Sequence, residues 1–198
     1  MIRRGFVPIK KNYLGVQIFS KLSDGFCLKR VESLLNSYSR YRQDCITING
    51  QINKGHRKIR NPNFPSPISE NIVKFAIRKK YGVCPSWNTK SGDLEFAGKR
   101  IEVKGFSSDG PISFGPTQRW DILYLVDCRN YNKMLFSVIE IRLTNFDVRS
   151  LVLNSKNGKT YGDYCDVGKR PILKPEKLLS IIEEKKTIFN GHLDELNQ

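Results

Sequence analysis

Residues 91–105 read SGDLEFAGKRIEVKG, and the fold of the chain turns on how they pair. In residues 100–104, extended-chain alternation sends Ile101 and Val103 to one face and leaves Arg100, Glu102 and Lys104 on the other. Leu94 and Phe96 likewise share a face, opposite Asp93 and Glu95. With Ala97 and Gly98 as a two-residue turn, Phe96 pairs with Lys99, Glu95 with Arg100, Leu94 with Ile101 and Asp93 with Glu102. Polarity then matches at every pair but the first. A slip by one residue would set Asp93 against Val103 and mix buried with polar side chains, so the hydrophobic pattern selects this register.

Cross-strand partners stand about 4.5–5.5 Å apart at Cβ. Two carboxylates held that close repel unless a cation sits between them or one takes up a proton. A divalent metal relieves the conflict, and Mg2+ suits it, because this hard ion takes one or two carboxylates and completes its octahedron with water and phosphate oxygens. Lys104, one pleat beyond Glu102, can orient or deprotonate a water and offset charge in the transition state. The plainer alternative is a hairpin whose solvent face carries ion pairs of Glu95 with Arg100 and of Glu102 with Lys99 or Lys104. Glu-x-Lys by itself arises by chance in many chains of this size.

Immediately upstream, Ser66 as a cap and Pro67 at a first helical position open a helix that Gly82 closes. Residues 70, 73 and 77 fall on one side of it, so Glu70 leans toward the packed face with Val73 and Ile77. The helix dipole stabilises an acid near the N-terminus, which is one reason for Glu70 to be there; support of a metal site is the other.

An acid-bearing helix (SENIVKFAIRKKYG, residues 69–82), an Asp that starts a hairpin and an ExK on its second strand together resemble the PD-(D/E)XK nuclease superfamily. The resemblance covers about residues 69–127 and carries Gly92 where the name of the pattern has Pro. It implies an α/β fold, with a central mixed β-sheet flanked by helices. Position by position, it implies Asp93 and Glu102 as metal ligands, the Val103 carbonyl as a further ligand, Lys104 as the catalytic lysine and Glu70 as the helix acid. It also implies Mg2+ as cofactor, with Mn2+ able to substitute. The following PTQRWDILYLVD resembles the next core strand of such nucleases; there Gln118 either approaches the scissile phosphate or is an exposed loop amide, and Trp120 reads as a packing residue.

Outward from this core, residues 28–41 place Leu28, Val31, Leu34, Leu35 and Tyr38 at helical spacing, with basic residues off the stripe. Residues 49–65 mix Gly, Asn and Pro with Lys54, Arg57, Lys58 and Arg60, which favours an exposed loop with freedom to move. Strands are expected at 122–127 and 135–141 and a late helix at about 175–186, an α/β or α+β arrangement. At 198 residues the chain is read as a single nuclease domain: a basic DNA-contacting segment at about 1–66, a catalytic core at 67–141 and a C-terminal loop and helix at 142–198.

Five cysteines form no CxxC pair, which argues against a local zinc site and for free, packed thiols in a reducing compartment. The longest uninterrupted apolar run is only 122–126, and no hydrophobic stretch follows Met1, Ile2, Arg3 and Arg4, so neither a membrane span nor a secretory leader is expected and a cytoplasmic protein is. The net charge of +15 is uneven: residues 1–81 hold 17 Lys and Arg against 4 Asp and Glu, a net +13. Phosphate neutralisation is the commonest use of such a load, which makes nucleic acid the expected partner ahead of an anionic membrane or an acidic protein.

Within the superfamily, a small basic chain without a GxxxxGK[ST] motif is most similar to a type II restriction endonuclease. Base-edge readers in such enzymes are sought on loops. Residues 49–63 supply Arg57, Lys58 and Arg60; residues 154–170 form a second irregular segment with Lys169 and Arg170. Either could instead position phosphates without reading sequence. The resemblance further implies double-stranded DNA as substrate, a homodimer matching a palindromic target, and a cognate DNA methyltransferase as a genetic rather than physical partner. A structure-selective repair or recombination nuclease and a non-enzymatic nucleic-acid-binding protein stand as the alternatives.

Overall fold

A computed structural model of the chain describes residues 13–53, 55–60, 62–88, 92–154, 156–170 and 172–197. Arg3, Arg4, Lys54, Ser91 and the side chain of Cys27 lie outside the described set.

The described residues open with a long helix, α1 (Tyr13–Gln51), ten residues longer at its C-terminal end than the spacing of apolar residues predicts. Leu28, Val31, Leu35, Tyr38 and Cys45 make its buried stripe, whereas Leu34 is 45% exposed. Cys45, seven residues beyond Tyr38, keeps the same face packed, and this continues the helix through 49–51, where composition alone suggests a loop. Helix α2 (Ser66–Tyr81) follows. Pro65, not Ser66, is its N-cap, and Gly82 ends it at φ +75° with its N–H donating to the Arg78 carbonyl at 2.8 Å. Ile68, Ile72, Val73, Phe75, Ala76 and Ile77 are buried, each large side chain contributing about 1.5–3 kcal/mol of transfer free energy.

Ten strands are interleaved with three further short helices among the described residues: β1 (Ser86–Trp87), β2 (Leu94–Phe96), β3 (Lys99–Phe106), β4 (Ile112–Ser113), β5 (Ile122–Asp127), β6 (Leu135–Ile141), α3 (Asn145–Ser150), β7 (Val152–Asn154), β8 (Lys159–Thr160), α4 (Tyr161–Asp166), β9 (Ile172–Leu173), α5 (Pro175–Ile181) and β10 (Lys185–His192). Six of these strands form one mixed sheet in the order β1-β2-β3-β5-β6-β10. β3 runs antiparallel to β2 and parallel to β5, and β5, β6 and β10 are successively antiparallel. This is an α/β fold with a mixed central sheet flanked by helices.

Alternation along β5 divides the core. Tyr124 and Val126 pack on the side of α1 and α2, while Leu123 and Leu125 pack with Trp120, Val148, Tyr161 and Leu178 on the other side. The hairpin register is the one the polarity pattern selects, with Leu94 opposite Ile101, Glu95 opposite Arg100 and Phe96 opposite Lys99. Ala97 and Gly98 turn the chain at φ +52° and +73°, as a two-residue hairpin turn requires.

Two C-terminal expectations change. The late helix stops at Ile181, and residues 185–192 are the edge strand β10 instead. A register shift between Thr187 and Phe189 breaks its alternation, which hides the strand from a period-two reading. Residues 154–170 are not irregular: β7 and β8 form a hairpin, and Thr160 and Asp163 cap α4 reciprocally. Cys45, Cys128 and Cys165 are packed and Cys84 is exposed, and none of the four is in a disulfide. No helix among the described residues is long and apolar enough to cross a membrane.

Candidate active site

Residues 102–104 of β3 lie where its pairing with β2 ends. Odd-numbered residues of β3 turn their backbone groups toward β2: Asp93 N–H donates to the Ile101 carbonyl at 2.8 Å. Two residues on, β2 has ended, and the Val103 N–H donates to Asp93 Oδ2 at 2.7 Å. Asp93 therefore does not stand across from Glu102 on one face, as regular pairing predicts. It lies beyond β2 and its carboxylate meets the strand edge. By strand geometry the Val103 carbonyl points the same way as its N–H, toward Asp93.

Gly92 explains the bend. Its φ is +81°, and a Cβ there would come within 2.8 Å of the Ile101 carbonyl oxygen. Proline, fixed near φ −65°, cannot occupy this position, so the departure from the family's name is a property of the turn itself.

Glu102 and Lys104 project from β3 to the face opposite α2. Glu102 is fully buried, and Lys104 Nζ lies 2.5 Å from its Oε1 and 5.7 Å from the centroid of the Phe114 ring. The Gln118 amide is also beside the carboxylate, and apart from the Lys104 ammonium on Oε1 neither Glu102 oxygen receives a well-directed hydrogen bond. Burial pushes the Glu102 carboxyl up from the ordinary glutamate range; the Lys104 ammonium pulls it down and the charge of Asp93 adds to the rise. From the other face, Glu70 comes in on the first turns of α2. Burial first and Asp93 second raise its carboxyl too, against the Ser66 hydroxyl and Lys104. α2 approaches closely because residue 105 is glycine: a Cβ there would lie 2.7 Å from that of Ser69. Glu70, Asp93, Glu102 and Lys104 thus gather around one stretch of β3.

Among the described residues no three His, Cys, Asp or Glu side chains form a ready cluster for a metal ion. Two carboxylates and a backbone carbonyl nonetheless suit Mg2+, which requires few protein ligands. The buried Glu102 oxygens, in the field of the Asp93 charge and with only the Lys104 ammonium on Oε1, are atoms that a divalent cation would satisfy further.

Gln118 is half-buried rather than an exposed amide. Its Oε1 accepts from the Gly115 N–H at 2.5 Å, which turns the amide toward Glu102. The loop that carries it is pinned from a distant part of the chain: the Tyr161 hydroxyl accepts from the Phe114 N–H at 2.9 Å and donates to the Phe114 carbonyl at 3.0 Å. Sequence reasoning finds neither Tyr161 nor Phe114, and no local spacing marks a contact 47 residues apart. Trp120 is 2% exposed, stacks on Phe114 and donates Nε1 to the Leu143 carbonyl at 2.8 Å, so it packs and is closed to a base. Arg57, Lys58, Arg60, Lys169 and Arg170 are all exposed, in two separate loops.

A family model described as Bsp6I restriction endonuclease matches residues 27–183, a span that takes in every site residue named here. No curated protein and no solved structure matches the chain.

Proposed function

The chain belongs to the Bsp6I restriction endonuclease family, a type II restriction endonuclease that cuts DNA site-specifically, and on that premise we propose how its own residues carry the reaction. The substrate is double-stranded DNA, and the repair-nuclease and binding-only alternatives give way to the family. Asp93, Glu102 and the Val103 carbonyl hold Mg2+, with Mn2+ as a substitute, and Glu70 supports the site from α2. The bound ion supplies charge neutralisation at the phosphate and a more acidic water.

Asp93 is fixed for this task by the Val103 N–H, which sets its carboxylate at the strand edge. Glu102 contributes a charge held in place by burial and by Lys104. Lys104 orients the attacking water, accepts its proton or offsets charge on the phosphorus oxygens. The Phe114 ring and the Glu102 carboxylate fix its ammonium from two sides. Gln118, its amide beside the Glu102 carboxylate, helps to hold the charge there. Arg57, Lys58 and Arg60 on one loop and Lys169 and Arg170 on the other contact the duplex. Within the single domain, residues 67–141 hold the catalytic groups, and the basic N-terminal segment and the C-terminal elements carry the DNA contacts. One chain holds one such site, so cutting both strands requires two copies, and a twofold homodimer on a palindromic target meets that need. A matching methyltransferase protects the host site, and the enzyme works in the cytoplasm, where that DNA lies.

The observation that carries this reading is the fully buried Glu102 carboxylate, paired on Oε1 with the Lys104 ammonium and within the field of Asp93. Incubating the protein with phage genomic DNA and Mg2+ tests it. Discrete fragments that vanish when EDTA is present are expected; cutting that persists in EDTA would refute the metal assignment.

A further inference from the structure

We propose that Asn49 is a positioning residue for DNA recognition: its side-chain amide brackets the basic loop after α1 into one shape, so that Arg57 and Lys58 meet the duplex already ordered. This rests on the reading that the loop contacts DNA. Asn49 Nδ2 donates to the Ile59 carbonyl at 2.8 Å, and the Ile59 N–H donates back to Asn49 Oδ1 at 2.7 Å. One primary amide thus does for Ile59 what a neighbouring β-strand residue would do, satisfying both of its backbone groups. The segment it closes is only ten residues long. Inside it the His56 N–H donates to the Asn53 carbonyl at 3.2 Å, and Gly55 at φ +102° supplies the left-handed step of that turn.

The far side of the loop is tied to the catalytic strand. The Tyr38 hydroxyl donates to the Pro62 carbonyl and touches the Ser107 hydroxyl, each at 3.3 Å. Phe64 packs edge-on against Tyr38, with ring centroids 5.3 Å apart, and lies over Gly105, where a Cβ would stand 3.2 Å from its ring. Gly105 follows Lys104 directly. The basic loop is therefore bracketed by Asn49 at its start and anchored beside the catalytic lysine at its end. Arg and Lys side chains lose much rotamer freedom on contacting DNA, and a loop already closed spares the backbone a second ordering cost. The bracket should act on association with DNA and leave the chemical step alone.

The test uses the full chain, a phage DNA that it cuts, and a short duplex carrying a cleavage site mapped from the fragments. Asn49→Ala removes both hydrogen bonds. Asn49→Asp keeps the acceptor for the Ile59 N–H and loses the donor, and Arg57→Ala/Lys58→Ala removes the charges. For Asn49→Ala we expect KM and the duplex Kd to rise about tenfold while kcat stays within about twofold and Tm shifts little, with Asn49→Asp intermediate. Unchanged KM and Kd in Asn49→Ala, alongside a weakened Arg57→Ala/Lys58→Ala, would overturn the bracket and leave the loop as a DNA contact. An unaffected Arg57→Ala/Lys58→Ala variant would overturn the loop's role and the bracket with it. A fall in kcat and Tm together for Asn49→Ala would reduce the bracket to a structural one and also overturn the proposal; should that variant not fold, the same reading is taken from Asn49→Asp.

Discussion

Asp93 Oδ2 accepts the Val103 N–H at 2.7 Å, so a side chain takes the place in the hydrogen-bond ladder that the next residue of β2 would otherwise fill. The consequence is twofold. β3 keeps its donor satisfied although β2 has ended, and a carboxylate is fixed at the one edge of β3 that Glu70 approaches from α2 and Glu102 from the opposite face.

Gly92 makes that bend, and placing there the proline that names the PD-(D/E)XK pattern should do harm. Gly92→Pro cannot adopt φ +81°, and Gly92→Ala would drive its Cβ to 2.8 Å from the Ile101 carbonyl oxygen. Each variant is expected to lose about 1–3 kcal/mol of stability by denaturant unfolding and most of its cleavage rate, as Asp93 moves off the Val103 N–H. Wild-type activity in Gly92→Pro would show that the bend does not matter.

Glu102→Gln should remove cleavage and keep duplex binding, with the loss measured on phage DNA and the binding by fluorescence anisotropy. The same change removes a charge whose burial outweighs its pairing with Lys104, so it should stabilise the metal-free protein at neutral pH by the excess of that burial cost over the lost ion pair.

That stabilisation should depend on pH in a stated direction. Burial raises the Glu102 carboxyl in the folded state, so the folded protein holds this proton more tightly than the unfolded chain does. Stability from the protonated form is complete below about pH 4.3, the ordinary glutamate value, and is lost as pH rises through the higher folded value. Calorimetry without metal should therefore show the Tm advantage of Glu102→Gln growing as pH rises. Mg2+ competes with the proton, so its stabilisation of wild type should grow over the same range. A Tm difference independent of pH would contradict this.

Lys104→Ala should abolish cutting while Kd for duplex DNA changes little, since the ammonium is turned inward to Glu102 and Phe114. A large loss of affinity with an intact single-turnover rate would make Lys104 a DNA contact instead.

Trp120→Phe separates packing from base stacking. The variant loses the hydrogen bond to the Leu143 carbonyl and part of a filled volume, so a stability loss of about 1–3 kcal/mol is expected with unchanged DNA affinity. Weakened DNA binding at unchanged stability would reverse the assignment.

Much of this site is legible from local sequence because hairpins are local. The parity of Leu94, Phe96, Ile101 and Val103 admits one register, and that register sets the residues before Leu94 beside the segment after Ile101, although not with Asp93 paired to Glu102. Likewise 122–127 and 135–141 are readable as strands because their apolar runs lie in the sheet's centre. β10 is not readable, because its bulge cancels the alternation and its pairing partner β6 lies far back along the chain, Lys185 opposite Ile141 and His192 opposite Leu135. Leu34 misleads for a related reason: helical spacing tells which residues share a stripe, and only the docked partner tells which edge of the stripe is covered.

By itself, then, the sequence determined the hairpin, its turn, the acid-bearing helix and the basic charge of the first 81 residues, since each follows from steric and polar preferences acting over a few residues. Tertiary structure alone decided that Glu102 is buried rather than solvent-facing, that Asp93 serves the strand edge, that Tyr161 pins the Gln118 loop and that Asn49 closes the basic one. Burial and hydrogen-bond direction are properties of what the other layers of the fold place against a residue, and nothing in a residue's immediate neighbours along the chain encodes them.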